Sequence, residues 1–498
     1  MKRKKHYTDT LIYTAVGVFH YLCADMAFPE EVLRIFHELA AVPRPSHHES
    51  RVADFLCDFA RRHGLEYERD ANDCVVIRKP ASPGHENAPV TVLLNHMDMV
   101  AVSDGTCRFD PLTDGIEPYV EDGWMKARGT SLGADNGIGL SMALAVLADD
   151  DLVHGPLEVL TTTNEEDGMT GAAGLSPGFI KGRRVINLDS EDFDTITVGA
   201  AGAFLQTAEF VSAGIPVSEG LRCFRIGISG GSGGHSGVDI GKNRINAIHE
   251  LAALLYDSCP DLLVFSIDGG DANASIASAC TAVVGVPETC CSGFSGKVHG
   301  NFERLRGRFT DGKNVRLDLC ETVPDMRTAF CDASILKMIA ALPCGVIRMH
   351  DTMPGTVMTS NNIGVVRTEG SVMSISCHTR SFSDTEMAET AGRISSVFKE
   401  HGAMVEVIMN TPAWQENGES EFIRMTESTF RDVLGFAPRK VAMHFVLEAG
   451  YYVNKYPGIE IACIGPRIIE PHSPGERVEM STVYGVCRVL TELLARLA

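Results

Sequence analysis

Five acids and two histidines in this chain of 498 residues occupy positions from which distant segments could deliver side chains to one point: His96, Asp98, Asp135, Glu165, Glu166, Asp189 and His472. His96 and Asp98 follow an aliphatic run. Asp135 lies in the glycine-rich stretch Arg128-Gly-Thr-Ser-Leu-Gly-Ala-Asp-Asn-Gly-Ile-Gly139, at the entrance of an apolar helix, Ile138 to Leu147. Glu165-Glu166 and Asp189 each follow another aliphatic run, and His472 stands in Ile464-Gly-Pro-Arg-Ile-Ile-Glu-Pro-His-Ser-Pro474. Three carboxylates and two imidazoles form a ligand set for a pair of zinc or manganese ions that share one carboxylate, read here as Asp135. Two such cations, roughly 3.5–4 Å apart, activate a shared water at neutral pH and polarise the carbonyl it attacks. In a strand, residues i and i+2 face the same side, so Asp98 can orient the ring of His96. Adjacent Glu165 and Glu166 cannot readily both bind one ion, so one can ligate while the other takes a proton. Taken singly each residue has an ordinary explanation, an Asp-Asn-Gly turn being a common helix cap. The argument rests on their joint occurrence.

The elements that must position them are legible as runs of aliphatic and β-branched residues bounded by turns. Cys74 to Arg78, Val90 to Leu94, Leu157 to Thr162, Arg184 to Leu188 and Ile459 to Ile464 read as strands. Helices are expected from Pro29 to about Pro43, over Arg51 to His63, Glu421 to Leu434 and Thr482 to Leu497. In open α/β sheets the carboxyl ends of the strands border the ligand crevice, and the acids fall at those ends. From about Leu205 the pattern changes. Phe224 to Ile228, Leu262 to Ile267 and Thr281 to Val286 read as strands, Arg244 to Tyr256 and Glu386 to His401 as helices. Ile363 to Arg367 and Val372 to His378 read as a hairpin, while Cys290 to Lys313 gives little signal.

The expected architecture is therefore α/β, a mixed central sheet flanked by helices with an inserted α+β domain. The expected division is 1–26 as an extension, 27–204 and 412–498 as the two parts of a catalytic domain, and 205–411 as the insertion. A composition of 44% apolar and 22% charged residues suits a globular chain of this length. A formal net charge of −21 argues against nucleic acid or an anionic membrane as partner. The 15 cysteines are irregularly spaced, which points to reduced thiols and a cytoplasmic setting. Lys2 to Lys5 followed by Thr10 to Ala24 resembles a signal, but the apolar run is short and interrupted by His20. We read it as a dispensable extension. Gly230 to Gly241 lacks the Gly-Lys-Ser/Thr ending of a phosphate loop.

With these residues assembled, the chain resembles the aminoacyl-histidine dipeptidase group of the co-catalytic dizinc metallopeptidases, relatives of carnosinases. The matching segments include Asn95-His-Met-Asp-Met-Val100, Lys126 to Gly139, His154-Gly-Pro-Leu-Glu-Val159, Asn164-Glu-Glu166, Asn187-Leu-Asp-Ser-Glu191, Gly233-Gly-His-Ser-Gly237 and Pro471-His-Ser-Pro474. The resemblance implies two divalent ions, zinc first with manganese or cobalt as alternatives. His96, Asp135 and Asp189 would hold one, and Asp135, Glu166 and His472 the other. It implies Glu165 as general base and then general acid, and an inserted lid that supplies His235 to the oxyanion and Arg380 to the terminal carboxylate of the substrate. Asn362, which matches a polar lid residue, and Glu448, kept within His444-Phe-Val-Leu-Glu-Ala-Gly450, would be further substrate-binding residues. Two stretches depart from the group: Asn273-Ala-Ser-Ile-Ala-Ser278 lacks its usual Pro, Arg and Glu, and Phe445-Val446 replaces a small pair. The expected activity is hydrolysis of dipeptides, Xaa-His or broader. The rivals are an N-acyl amino acid amidohydrolase and a non-catalytic binding protein that kept the fold. Members of the group often pair, so a homodimer is compatible, with His235 serving its own site or a neighbour's.

Overall fold

The computed structural model describes residues 27–217, 220–323, 328–415 and 417–498. The basic and apolar N-terminal stretch lies outside them. Two compact units are present, one running to Val198 and including Asn417–Val441 and Tyr451–Ala498, the other comprising Gly199–Glu416 and Ala442–Gly450.

The first unit is built on an eight-stranded mixed sheet. Its order is Glu66–Arg69, Val75–Lys79, Leu157–Thr162, Thr91–His96, Arg184–Asn187, Glu460–Cys463, Thr195–Ala200 and Arg439–Met443. Four adjacent strands, Leu157–Thr162 through Glu460–Cys463, are parallel, and their neighbours on both sides run antiparallel. Strands covered on both faces need continuous apolar runs, which is why Thr91–His96 and Leu157–Thr162 are buried at every residue. Because these strands are parallel, the loops after them emerge along one edge. The covering helices meet the sheet through apolar stripes, such as Val32, Ile35, Phe36 and Leu39 of helix 27–40. Helix Ala134–Ala148 is apolar all round and buried from Asn136 to Leu147. A helix of this kind belongs inside a core. It also packs very closely, since a Cβ at Gly139 would collide with the Leu188 carbonyl.

The second unit has its own core and an antiparallel sheet. The main path is Arg316–Glu321, Leu221–Ser229, Cys280–Pro287, Leu263–Gly269, Val357–Glu369, Val372–Ser381, Gly202–Val211 and Met404–Thr411. Helix Ala247–Ser258 starts three residues later than Arg244, where the apolar pattern placed it, because the Asn246 side chain accepts the Ile248 and His249 N–H groups and caps it there. The weakly patterned region holds a helix, Phe294–Arg306, whose buried stripe Phe294, Val298, Phe302 and Leu305 is interleaved with Gly296 and Gly300. Glycines mask that helix in the sequence, and tertiary packing stabilises it. Among the described residues no helix is long and apolar enough to cross a membrane, and the cysteines there are free.

Candidate metal centre and substrate groups

The parallel strands bring the expected ligands together in the first unit. His96 ends strand Thr91–His96, Glu166 lies in the turn after Leu157–Thr162, and Asp189 follows Arg184–Asn187. Asp135 opens helix Ala134–Ala148, and His472 stands in the turn between the short strands Ile468–Ile469 and Arg477–Glu479. His96 Nε2 is 3.1 Å from Asp135 Oδ1 and 3.3 Å from Asp189 Oδ1. On the other side, His472 Nε2 is 3.1 Å from Asp135 Oδ2 and 2.8 Å from Glu166 Oε2. Two groups result, His96/Asp135/Asp189 and Asp135/Glu166/His472, each with ligand atoms within 4.8 Å of one another. Asp135 presents one oxygen to each.

The electrostatics of this cluster favour cations. Hydrogen bonds to Asp135 and Glu166 hold the His472 imidazole up to about 11. Burial would raise the Asp135 carboxyl, but His472 and His96 hold it well below its usual range. Burial pushes Asp189 and Glu166 up. Carboxylates that draw positive charge onto an imidazole also attract a divalent ion, whose binding displaces any proton held there. Glu166 Oε1 is buried without a hydrogen-bond partner, as suits an oxygen whose lone pair is directed to a metal ion. The donor set, nitrogen from two imidazoles and oxygen from three carboxylates, suits two divalent ions.

Asp98 is fully buried, with Oδ1 3.5 Å from His96 Nδ1, and it does more than the i, i+2 spacing suggested. Its oxygens accept the N–H groups of Glu165 at 3.0 Å and Glu166 at 3.2 Å and the Ser46 hydroxyl at 2.8 Å. One carboxylate thus sets both the imidazole and the turn that carries the two glutamates. Glu49 supports the same turn by accepting Asn164 N–H at 2.8 Å. Glu165 is half-buried beside Glu166. Neither Ser46 nor Glu49 was legible as part of a site, because both lie in a polar turn without pattern.

The remaining expected residues lie in the second unit. His235 is exposed on its glycine loop, and its Nδ1 accepts the N–H groups of Gly237 at 3.2 Å and Val238 at 3.3 Å. That places the proton on Nε2, which leaves a neutral imidazole with one N–H to donate. Partial burial and the Arg380 guanidinium lower its pKa, which favours this neutral form. Arg380 is only 3% exposed, its Nε reaches Ser236 Oγ at 3.4 Å, and burial lowers its pKa to about 10. Among the described residues no carboxylate pairs with it. Asn362 is committed internally: Oδ1 accepts from Asn246 at 3.1 Å, and Nδ2 donates to the Ser275 carbonyl at 2.8 Å. Glu448 is buried in the Ala442–Gly450 segment. His444 Nε2 lies within hydrogen-bonding distance of Ser360 Oγ, at 2.8 Å.

This fold and this cluster define a metal-dependent peptide hydrolase. The pattern of peptidase family M20/M25/M40 matches residues 92–496, and the chain belongs to that family. Over 94% of its length, the chain is 35% identical to the cytosol non-specific dipeptidase of Escherichia coli (strain K12), 97% of which is covered. It superposes on the aminoacylhistidine dipeptidase from Vibrio alginolyticus with a TM-score of 0.88 at 32% identity, covering 94% of this chain and 96% of that one. A tripeptidase from Staphylococcus aureus, at TM-score 0.58 and 16% identity, shares the fold. The family and fold class expected from the sequence are borne out.

Proposed function

We propose that this protein hydrolyses unblocked dipeptides, Xaa-His among them, with two zinc ions held by His96, Asp135, Asp189, Glu166 and His472. The observation that carries the reading is the division of Asp135, whose two oxygens face two different imidazoles at 3.1 Å each. Its similarity to two dipeptidases over nearly the whole chain supports the substrate class. When bound, the ions supply Lewis acidity to the scissile carbonyl and lower the pKa of the attacking water.

The chain's own groups account for the rest. Asp98 fixes His96 and the glutamate turn. Glu165, not needed as a ligand, takes the proton of the attacking water and returns it to the leaving amine. His235 donates its Nε2–H to the carbonyl oxygen as negative charge develops there. Arg380 receives the substrate's terminal carboxylate through a planar fork that matches it. Asn362 braces the Asn273–Ser275 segment, and Glu448 takes a place on the substrate side. In this reading 27–204 and 412–498 form the catalytic domain that holds the ions, and 205–411 is the inserted lid that supplies His235 and Arg380. A cytoplasmic location completes the proposal, and a homodimer is compatible with it.

The test is a panel of free and N-acetylated dipeptides, with and without chelator. Cleavage of free dipeptides is expected to stop on chelation and to fall about 10²- to 10⁴-fold in Glu165→Ala. Activity that ignores chelation and survives that substitution ends the reading, and a preference for N-acetylated substrates moves the enzyme to the amidohydrolases.

A further inference from the structure

Two buried charges outside the ligand set grip the loop that delivers Asp135. Glu476 is 3% exposed and lies four residues beyond His472. Its Oε2 accepts the N–H groups of Leu132 and Gly133, both at 2.8 Å. Its Oε1 accepts those of Ala134 at 2.7 Å and Asp135 at 3.3 Å. Four consecutive amides, which would otherwise be unsatisfied donors at a buried helix start, converge on one carboxylate. The turn that aims them needs Gly133 at φ +66°, where a Cβ would also crowd Met99 and Arg44. On the other side of the same loop, Arg44 donates to the Gly133 carbonyl at 2.6 Å and to the carbonyls of Met97 at 3.1 Å and Asp98 at 2.9 Å. It is 2% exposed.

From this arrangement we infer that Glu476 and Arg44 are positioning residues for the metal pair: Glu476 ties the Asp135 loop to the His472 turn, and Arg44 ties it to the segment carrying His96 and Asp98. The inference rests on the metallopeptidase reading. Its physical basis is that Asp135 belongs to both ligand groups, so any drift of its loop degrades both at once. Ligand constellations tolerate displacements of only about 0.5 Å. Covalent proximity reinforces the point, since Glu476 and His472 share one turn and Arg44 sits one backbone hydrogen bond, Met99 N–H to Arg44 carbonyl at 3.0 Å, from the His96 strand end. Neither residue touches a ligand atom's reacting side, and each acts through the backbone.

The test uses stripped full-length protein with Glu476→Gln, close to isosteric but unable to accept at one position, and Arg44→Met as the second variant. Zn²⁺ is titrated against a chromophoric chelator, and Co²⁺ is added separately to read the visible absorption of each filled site. Affinity for both ions is expected to fall about 10- to 100-fold in each variant, with changed Co²⁺ bands, lower kcat and little change in KM. Glu476→Asp, which keeps the charge, is expected to recover part of the affinity. If either variant does not fold, the other carries the test. Wild-type affinity and Co²⁺ spectra in a folded variant, even one of reduced thermal stability, would assign these residues to stability alone and overturn the inference. Stripped wild-type protein that takes up no metal would overturn both this inference and the metallopeptidase reading.

Discussion

Arg380 holds a guanidinium in a place that burial alone disfavours, with one long hydrogen bond in return. A buried charge of this kind is costly without a partner, and in the proposed reaction a carboxylate brought by substrate would supply one. Arg380→Met is expected to lower kcat/KM for a free dipeptide about 10- to 100-fold, the worth of one charged hydrogen-bonded pair. The same substitution should leave a dipeptide amide nearly unaffected; equal losses on both substrates in steady-state assays would refute the role. At this scale the sequence was informative where an acid or histidine closes an aliphatic run, as with His96 and Asp189. It was silent on Glu476 and Arg44, which stand among prolines and glycines and read as ordinary surface charges until the backbone amides around them are seen. The tautomer of His235, likewise, depends on two amide donors that no spacing rule reveals.

Strands of the first unit were readable because parallel strands buried on both faces leave unbroken aliphatic runs, and Leu157–Thr162 was placed at its observed limits. Less was visible in the second unit. Its edge strand Met404–Thr411 is largely exposed and alternates poorly, and Phe294–Arg306 carries two glycines. Two imidazoles buried in the second unit have a measurable effect. Burial, with Arg380 adding to it, depresses the His378 and His444 imidazoles to about 3 each. The unfolded chain binds those protons near pH 6.5, so between about 6.5 and 3 it carries more protons than the folded chain. Their contribution to stability is therefore complete above about pH 6.5 and is lost as pH falls toward about 3, at up to roughly 1.4 kcal/mol per pH unit for each. Urea unfolding of His444→Asn across this range is expected to show a pH slope smaller by about one proton. An unchanged slope would mean that His444 titrates normally in the folded chain.

For the molecule as a whole, metal and fold are linked, since an ion that binds only the folded ligand set stabilises it by mass action. At free metal about 100 times the dissociation constant this amounts to about 2.7 kcal/mol. Scanning calorimetry should show a lower Tm after chelation and recovery on adding Zn²⁺, and a transition indifferent to both would contradict the linkage. The interleaved connectivity has a further outcome, in the order of events on the ribosome. Strand Glu460–Cys463 lies inside the first sheet, between Arg184–Asn187 and Thr195–Ala200, so that sheet stays split until the last tenth of the chain has been synthesised. The second unit has all its residues by Gly450. Domains mature as their sequence emerges. Nascent chains that have emerged from the ribosome to about residue 455 should accordingly contain a protease-resistant core from 199 onward and a digestible leading segment, so that the younger part of the polypeptide matures before the older while His472 is still to come.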